Sequence, residues 1–240
     1  MNSLYGTVRL VSEDSLWFFG KLLFLYITIP VTLIWLLIGY IFGLGDETVV
    51  SIAGPAYSFA PIFAIAGFKS LYPIAIGLGS TRTQFLKVFY SVGLVSVVLS
   101  ILFVNVLHGL LKAVFQQWDI DSNIFQPGLF LVNDYHFLTY LWIDLMFVLF
   151  LLGISFLLYS IKFRLGTQKS LFVLMLLSLV TMFLYYGGYL TNSMDWFMEL
   201  DLAALKMKLI SLIGLSGIIA LLVTYPIMRN ASLKPKARKD

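Results

Sequence analysis

The chain has 240 residues, 60% of them hydrophobic and 12% charged, with a mean hydropathy of +0.94. Soluble domains carry about 25% charged residues, so this balance excludes an ordinary soluble domain and points to lipid. The net charge is +4 and there is no cysteine, which excludes a disulfide framework and thiol chemistry.

Residues 1–21 open with "MNSLYGTVRLVSEDSLWFFG", which is too polar to span a membrane. Leu4, Val8 and Val11 share a helical face at i, i+4, i+7. Ser12, followed by Glu13 and Asp14, reads as a helix start with acids at the positive dipole end. Trp17 suits the headgroup level. The expectation is an interfacial helix lying on the inner leaflet and turning up into the first span.

The next residues carry no charge between Lys21 and Asp46, nor between Glu47 and Lys69. The same holds from Lys87 to Lys112, from Lys169 to Asp195 and from Lys208 to Arg229. A further stretch, Phe137 to Ile161, is interrupted by Asp144 alone. A helix crosses roughly 30 Å of hydrocarbon with about 20 residues. Six spans therefore fit, at about 22–45, 48–68, 88–111, 138–161, 170–192 and 209–228. They are read as helices because each must satisfy its own backbone hydrogen bonds, whereas barrel strands are about half as long and alternate. The first apolar stretch is too long for a cleavable leader and no A-x-A-like site follows it. The reading is an all-α, polytopic membrane protein: interfacial helix 1–21, transmembrane domain 22–228 and basic tail 229–240.

Pro30, Pro55 and Pro61 are expected to bend spans one and two, and they are candidates for lining a path. The "GYIFGLG" end of span one, with Gly39, Gly43 and Gly45, permits close helix contact. Between spans two and three lies a polar insert. Ser70 can cap a helix whose first turn tolerates Pro73. Leu71, Ile74, Ala75 and Leu78 form one apolar face, and Gly79 fits as the stop. Thr81 and Gln84 then have capping-box form, restarting a helix through Phe85 into span three. The expectation is a short transverse helix, a tight turn and a capped restart.

Farther on, His108 and His136 read as interfacial polar residues near the outer surface. Asp144, about two turns below the outer end of its span, can face water, pair with Lys112 or line a path. Residues 193–207 read as a short outer helix with Ser193 as N-cap and Asp195 in its first turn, either a lid or a passive anchor.

Placing the N-terminus in the cytoplasm puts Arg9, Lys21, Lys69, Arg82, Lys87, Lys162, Arg164, Lys169, Arg229 and the tail lysines and arginine inside. Only Lys112, Lys206 and Lys208 fall outside, with Asp46, Glu47, Asp119, Asp121, Asp134, Asp195, Glu199 and Asp201. Positive charge is retained on the cytoplasmic side, so both termini are expected there. The basic balance then reflects topology rather than nucleic acid, and "RNASLKPKARKD" reads as an inner-leaflet anchor.

The sequence contains no G-x-x-x-x-G-K-[ST] and no H-E-x-x-H. It offers no candidate catalytic, cofactor-binding or metal-ligating set, and no paired acids at mid-membrane. The reading is not an enzyme but a bundle whose energy, if it moves solutes actively, arrives through a partner docked on the inner side.

The segment "IAIGLGSTRTQFLKVFY" resembles the L-G-x-[ST]-R-x-x-[FY] pattern after span two in permease subunits of bacterial ABC transporters of the type-two exporter class. Leu78, Gly79, Ser80, Thr81, Arg82 and Phe85 carry the match. The inner-surface N-terminal helix, the six spans, the inner termini and the outer helix before span six resemble that class as well. Size and style resemble its Gram-positive peptide-exporting subgroup, of the phenol-soluble-modulin type. The resemblance implies a multi-pass subunit of the bacterial cytoplasmic membrane, acting with a second permease copy or paralogue. It implies that cytoplasmic ABC ATPase subunits bind ATP and Mg, with none bound by this chain. Ser70, Leu71, Ile74, Ala75, Leu78, Gly79, Thr81 and Arg82 would form the coupling helix that docks on them. The cargo implied is a hydrophobic or amphipathic peptide. Outside the resemblance, an ATPase-independent channel or secondary carrier, and a non-transporting scaffold or sensor, also fit the residues.

Overall fold

The computed structural model describes residues 3–45, 48–118, 120, 123–131, 135–199 and 203–230. Its helices are α1 (Ser3–Phe42), α2 (Gly54–Gly77), α3 (Arg82–Gln117), α4 (Phe137–Leu165), α5 (Thr167–Tyr186), α6 (Tyr189–Glu199) and α7 (Ala203–Arg229). Six of them, all but α6, are long and apolar enough to cross a membrane. The protein is thus an all-α, multi-pass type of chain. Helices α2 and α3 are joined by a turn at Gly79, and α4 and α5 by one at Gly166. This side is the turn end of the bundle. The opposite, loop end carries the longer connections 43–53 and 118–136.

Helix α1 corrects two expectations. The N-terminal segment is not a separate interfacial helix, because the helical ladder continues without a break from Ser3 to Phe42. Its buried stripe is not Leu4, Val8 and Val11 but Thr7, Val11, Ser15, Phe19 and Leu23, with Leu4 and Val8 exposed. A seam stepping by four drifts by about 40° per step around an α-helix. The chain meets this by widening to a π-helix over Leu16–Thr28, which keeps Phe19, Leu23 and Thr28 on one side. That stretch ends two residues before Pro30, and a second π segment, Phe63–Gly67, begins two residues after Pro61. Local widening of this kind re-satisfies backbone groups freed by proline in an apolar setting. Pro55 needs no such help: it sits in the first turn of α2 and introduces no kink.

The core is aromatic and joins α2, α3 and α4. The Phe68 ring lies 4.9 Å from Tyr72, 5.6 Å from Phe85 and Phe89, and 5.2 Å from Phe156. Phe63 stacks on Phe89 at 5.3 Å. Such pairs contribute about 0.5–1.5 kcal/mol each beyond area burial.

Glycines let α4 and α7 meet backbone to backbone. A Cβ added to Gly153 would overlap the Gly217 carbonyl, and one on Gly217 would overlap the Leu149 carbonyl. A Cβ on Gly214 would come within 2.8 Å of Met146 Cβ. Close approach of this kind is the main source of helix affinity where lipid is as apolar as leucine. The contact is fastened by Trp142 Nε1 donating to Ser211 Oγ at 3.0 Å. On the α3 side of α7, the Tyr90 and Thr224 hydroxyls pair at 2.6 Å. Gly39 leaves room for a side chain instead, facing the Phe115 ring of α3, whereas Gly43 ends α1 at φ +63° and Gly45 faces open space. Helix α5 stands apart, with Ser170 its one buried residue.

At the loop end a parallel pair, β1 (Val49–Val50) and β2 (Asn123–Ile124), ties the two long connections together. It covers a small second core of Val50, Ile52, Leu111, Phe115 and Ile124. Helix α6 begins at Tyr189 after Gly188 at φ +77°, so Ser193 lies inside it, bonded to Leu190 O, rather than capping it. Tail residues 231–240 and the acids Asp46, Glu47, Asp119, Asp121, Asp134 and Asp201 lie outside the described residues.

Gly153→Leu is expected to destabilise the purified protein by about 3 kcal/mol or more, because overpacking here meets backbone rather than a flexible side chain. Gly6→Ala, where a Cβ meets nothing, should be neutral or stabilising by up to about 1 kcal/mol. Thermal unfolding in detergent reads both.

Candidate functional site

Two places gather the chemistry-bearing residues, one near each end of the bundle. Near the loop end, three helices each contribute one polar side chain to a cluster inside the bundle. Tyr57 of α2 donates its hydroxyl to Asp144 Oδ1 at 2.8 Å. Asn105 of α3 donates Nδ2 to Asp144 Oδ2 at 2.8 Å and to the Ile101 carbonyl at 3.1 Å. Asn105 and Asp144 are both fully buried. Helical spacing places them: Asp144 belongs to the buried α4 stripe Tyr140, Asp144, Val148, Leu152, Phe156, Ser160, and Asn105 to the corresponding stripe of α3.

One turn nearer the loop end is a second layer. His108 is buried and stacks on Tyr135 at 4.8 Å, with the edge of Tyr140 at 6.0 Å. The Lys112 ammonium lies 4.4 Å from the centre of the Tyr135 ring. Lys112 therefore caps an aromatic face, and no ion pair joins it to Asp144. Among the described residues the one ion pair is Arg9–Glu13. His136 is exposed at the start of α4. The chain enters the 3₁₀ turn Pro127–Phe130 through Gln126, which is fully buried, and Gly128 of that turn abuts the Tyr140 ring.

Several polar atoms here have no partner among the described residues: Asn105 Oδ1, His108 Nδ1, Tyr135 Oη and both terminal atoms of Gln126. Buried polar atoms are normally satisfied by protein or water, so this layer is where water or a ligand's polar group gains most. A carboxyl with a phenol and an amide on its oxygens, and an imidazole one turn away, is a set that can hold or pass a proton. It offers no activated nucleophile. No group of three or more His, Cys, Asp or Glu able to hold a metal occurs among the described residues.

At the turn end, α2 runs unbroken through Ser70, whose hydroxyl donates to Gly67 O at 3.1 Å. The expected separate transverse helix is instead the end of α2. The reason is local: Gly67 and Phe68 keep α-region dihedrals, so no cap position exists there. The stop and restart fall where the spacing puts them. Gly79 takes φ +86°, Gly79 N donates to Ile76 O and Ser80 N to Ala75 O, each at 3.0 Å. That is a Schellman turn. Thr81 Oγ1 then accepts from Gln84 N at 3.2 Å, capping α3. Leu71, Ala75 and Ser80 are buried, Arg82 is half-buried, and Ser70, Ile74, Leu78, Gly79 and Thr81 are exposed.

The two places are not brought together, since Tyr57 and Ile74 are separated by about 25 Å along α2. Of the residues considered for a path, Pro30 and Pro61 mark the π segments and Asp144 is enclosed by its two donors. Sequence reasoning missed the grouping of Tyr57 and Asn105 with Asp144. The available signal was that each is a polar residue on the buried stripe of an otherwise apolar span.

Tyr57→Phe is expected to cost roughly 1 kcal/mol of stability when Asp144 is present. In an Asp144→Leu background the same change should cost nothing, and thermal unfolding of the four variants closes the cycle. Comparison of the chain with protein-family models, with curated proteins and with solved structures yields no match.

Proposed function

We propose that this chain is the membrane-spanning permease subunit of an ATP-driven exporter of the bacterial plasma membrane. It forms a path for a hydrophobic or amphipathic substrate, most simply a peptide, with a second permease copy or paralogue. Separate ABC-type ATPase subunits bind ATP and Mg and dock at the turn end.

One observation carries the reading. Ile74 and Leu78 are apolar yet 50% and 67% exposed, and they lie past the uncharged part of α2. Ile74 is about 8 Å beyond Lys69 along the helix, past the charge that ends the apolar run 48–68. Apolar side chains on one face of a helix can seat in a partner's groove. This end is also stiff, because Phe68 and Tyr72 stack beneath it and the Gly79 turn locks it to α3. A push on the tip moves α2 and α3 together. The docking surface is Ser70, Ile74, Leu78, Gly79 and Thr81, with Arg82 at its edge. Leu71 and Ala75 hold it from below.

The Asp144 layer favours a second reading, an ATPase-independent carrier or channel. Ionisable groups inside a membrane mark ion or proton pathways by default.

The test isolates the protein from its native membrane under mild detergent and identifies what accompanies it by mass spectrometry. A P-loop ATPase is expected, and Ile74→Glu and Leu78→Glu should each reduce its recovery at least about tenfold, the scale of burying a charge in an apolar contact. Tyr57→Phe should leave it unchanged. A complex that survives both charge substitutions rejects the docking surface. Solute flux in liposomes holding this protein alone, abolished by Asp144→Asn, supports the carrier instead.

A further inference from the structure

Helix α1 carries two stripes, each stepping by four residues. One is buried: Thr7, Val11, Ser15, Phe19 and Leu23. The other is exposed: Arg9, Glu13, Trp17, Lys21 and Leu25. The exposed stripe holds charge. Arg9 Nε donates to Glu13 at 2.7 Å, and the two side chains are 64% and 62% exposed.

The depth of these charges follows from the register of α1 on α3. The hydroxyls of Ser15 and Ser96 are paired at 2.5 Å. The rings of Phe24 and Phe103 lie 4.4 Å apart, and Gly39 faces Phe115. The two helices therefore run parallel, with Lys21 level with about Ser100. That residue is midway along the uncharged part of α3 between Lys87 and Lys112, roughly 18 Å from either end. Glu13 is level with about Leu94, some 10 Å inside the same stretch. The other spans agree on this depth. Asn105 meets Asp144, and Tyr90 meets Phe156, so Ser100 is also level with the middle of the apolar part of α4.

A lysine stem of four methylenes reaches on the order of 6 Å, which suffices near a helix end but not from the centre of a bilayer. Ionisable groups at such depth face a bundle interior or a water-filled cavity. The interior of this chain's own bundle is excluded here, because the buried stripe occupies it.

We infer that the exposed stripe of α1 lines a water-filled vestibule reaching from the turn end to the level of Lys21. Its wall alternates charge with Leu16, Trp17 and Leu25, a mixture suited to a solute with both ionic and apolar parts. The inference rests on the chain spanning a membrane and is independent of the ATPase docking proposed above.

The chain has no cysteine, so single-cysteine variants can be labelled cleanly. Thiols react with maleimide as thiolates, which form in water and not in hydrocarbon. Glu13→Cys, Trp17→Cys and Lys21→Cys would be made alongside Val95→Cys and Leu99→Cys. The last two lie at matching depth and are exposed on α3. Native membranes are treated with a membrane-impermeant maleimide from each side in turn. The expected result is labelling of the three α1 positions at least tenfold faster than the two α3 positions, from one side only. Trp17→Cys removes no charge and keeps the test valid should the charge variants fold poorly. Equal, slow labelling at all positions places α1 in lipid and overturns the inference. Equal, fast labelling at all positions indicates a thinned bilayer around the whole protein and overturns it as well.

Discussion

A carboxyl group inside an apolar bundle must find its partners within the bundle, and Asp144 finds them on two other helices. Each oxygen accepts one hydrogen bond, from Tyr57 of α2 and from Asn105 of α3. A slide of either helix by one residue would move its donor about 1.5 Å along the axis and about 100° around it. The unmade bond would leave a buried polar group unsatisfied, a cost of about 1–3 kcal/mol. These bonds therefore set the axial register of α2, α3 and α4. The aromatic layer nearer the turn end depends on that register, because Phe63, Phe68, Phe89 and Phe156 interlock only at one relative height.

The remaining helices attach by shape. Between helices in lipid, apolar surface gains little by touching protein instead of acyl chains, so close packing and hydrogen bonds decide which faces meet. Helix α7 qualifies through Gly214 and Gly217, which let it lie on α4 at Gly153. Helix α1 qualifies through Ser15, Phe24 and Gly39, spaced along α3. Helix α5 has no comparable device. It is apolar on every side and buries Ser170 alone. The same hydropathy thus yields a tightly held helix in one place and a loosely held one in another. The difference lies in small residues rather than in the number of large ones.

This explains which features were legible in the sequence. The number of membrane-length helices was, because the spacing of charges against bilayer thickness needs no tertiary information. The Gly79 turn and Thr81 cap were too, since each is decided by neighbours within five residues. The boundaries of α1 were not. Ser12, Glu13 and Asp14 look like a helix start, but a cap signal loses when the preceding residues pack well, and Thr7 and Val11 are buried. Ser70 failed as a cap for the same reason. The partners of Asp144 were hidden because Tyr57 and Asn105 are distant in sequence and ordinary in type. The Gly153–Gly217 contact was equally hidden, whereas of the glycines in "GYIFGLG" Gly39 alone sits against another helix, facing the Phe115 ring rather than backbone.

The apolar tip, the charged stripe of α1 and the Asp144 layer are mechanically linked. Pressure on the Ile74–Leu78 tip reaches α3 through the Gly79 turn and through Phe85, which packs on both Phe68 and Tyr72. Movement of α3 carries α1, because Ser96, Phe103 and Phe115 hold that helix at three heights. The charged stripe of α1 would then move with the tip, while Asn105 and Tyr57 keep α2 and α3 in register with Asp144 at the far end. A bundle held at one end by directional hydrogen bonds and along its length by aromatic contacts tilts more readily than it slides. Tilting about the Asp144 layer gives its largest displacement at the turn end, the end that carries the tip and at which the inferred vestibule opens.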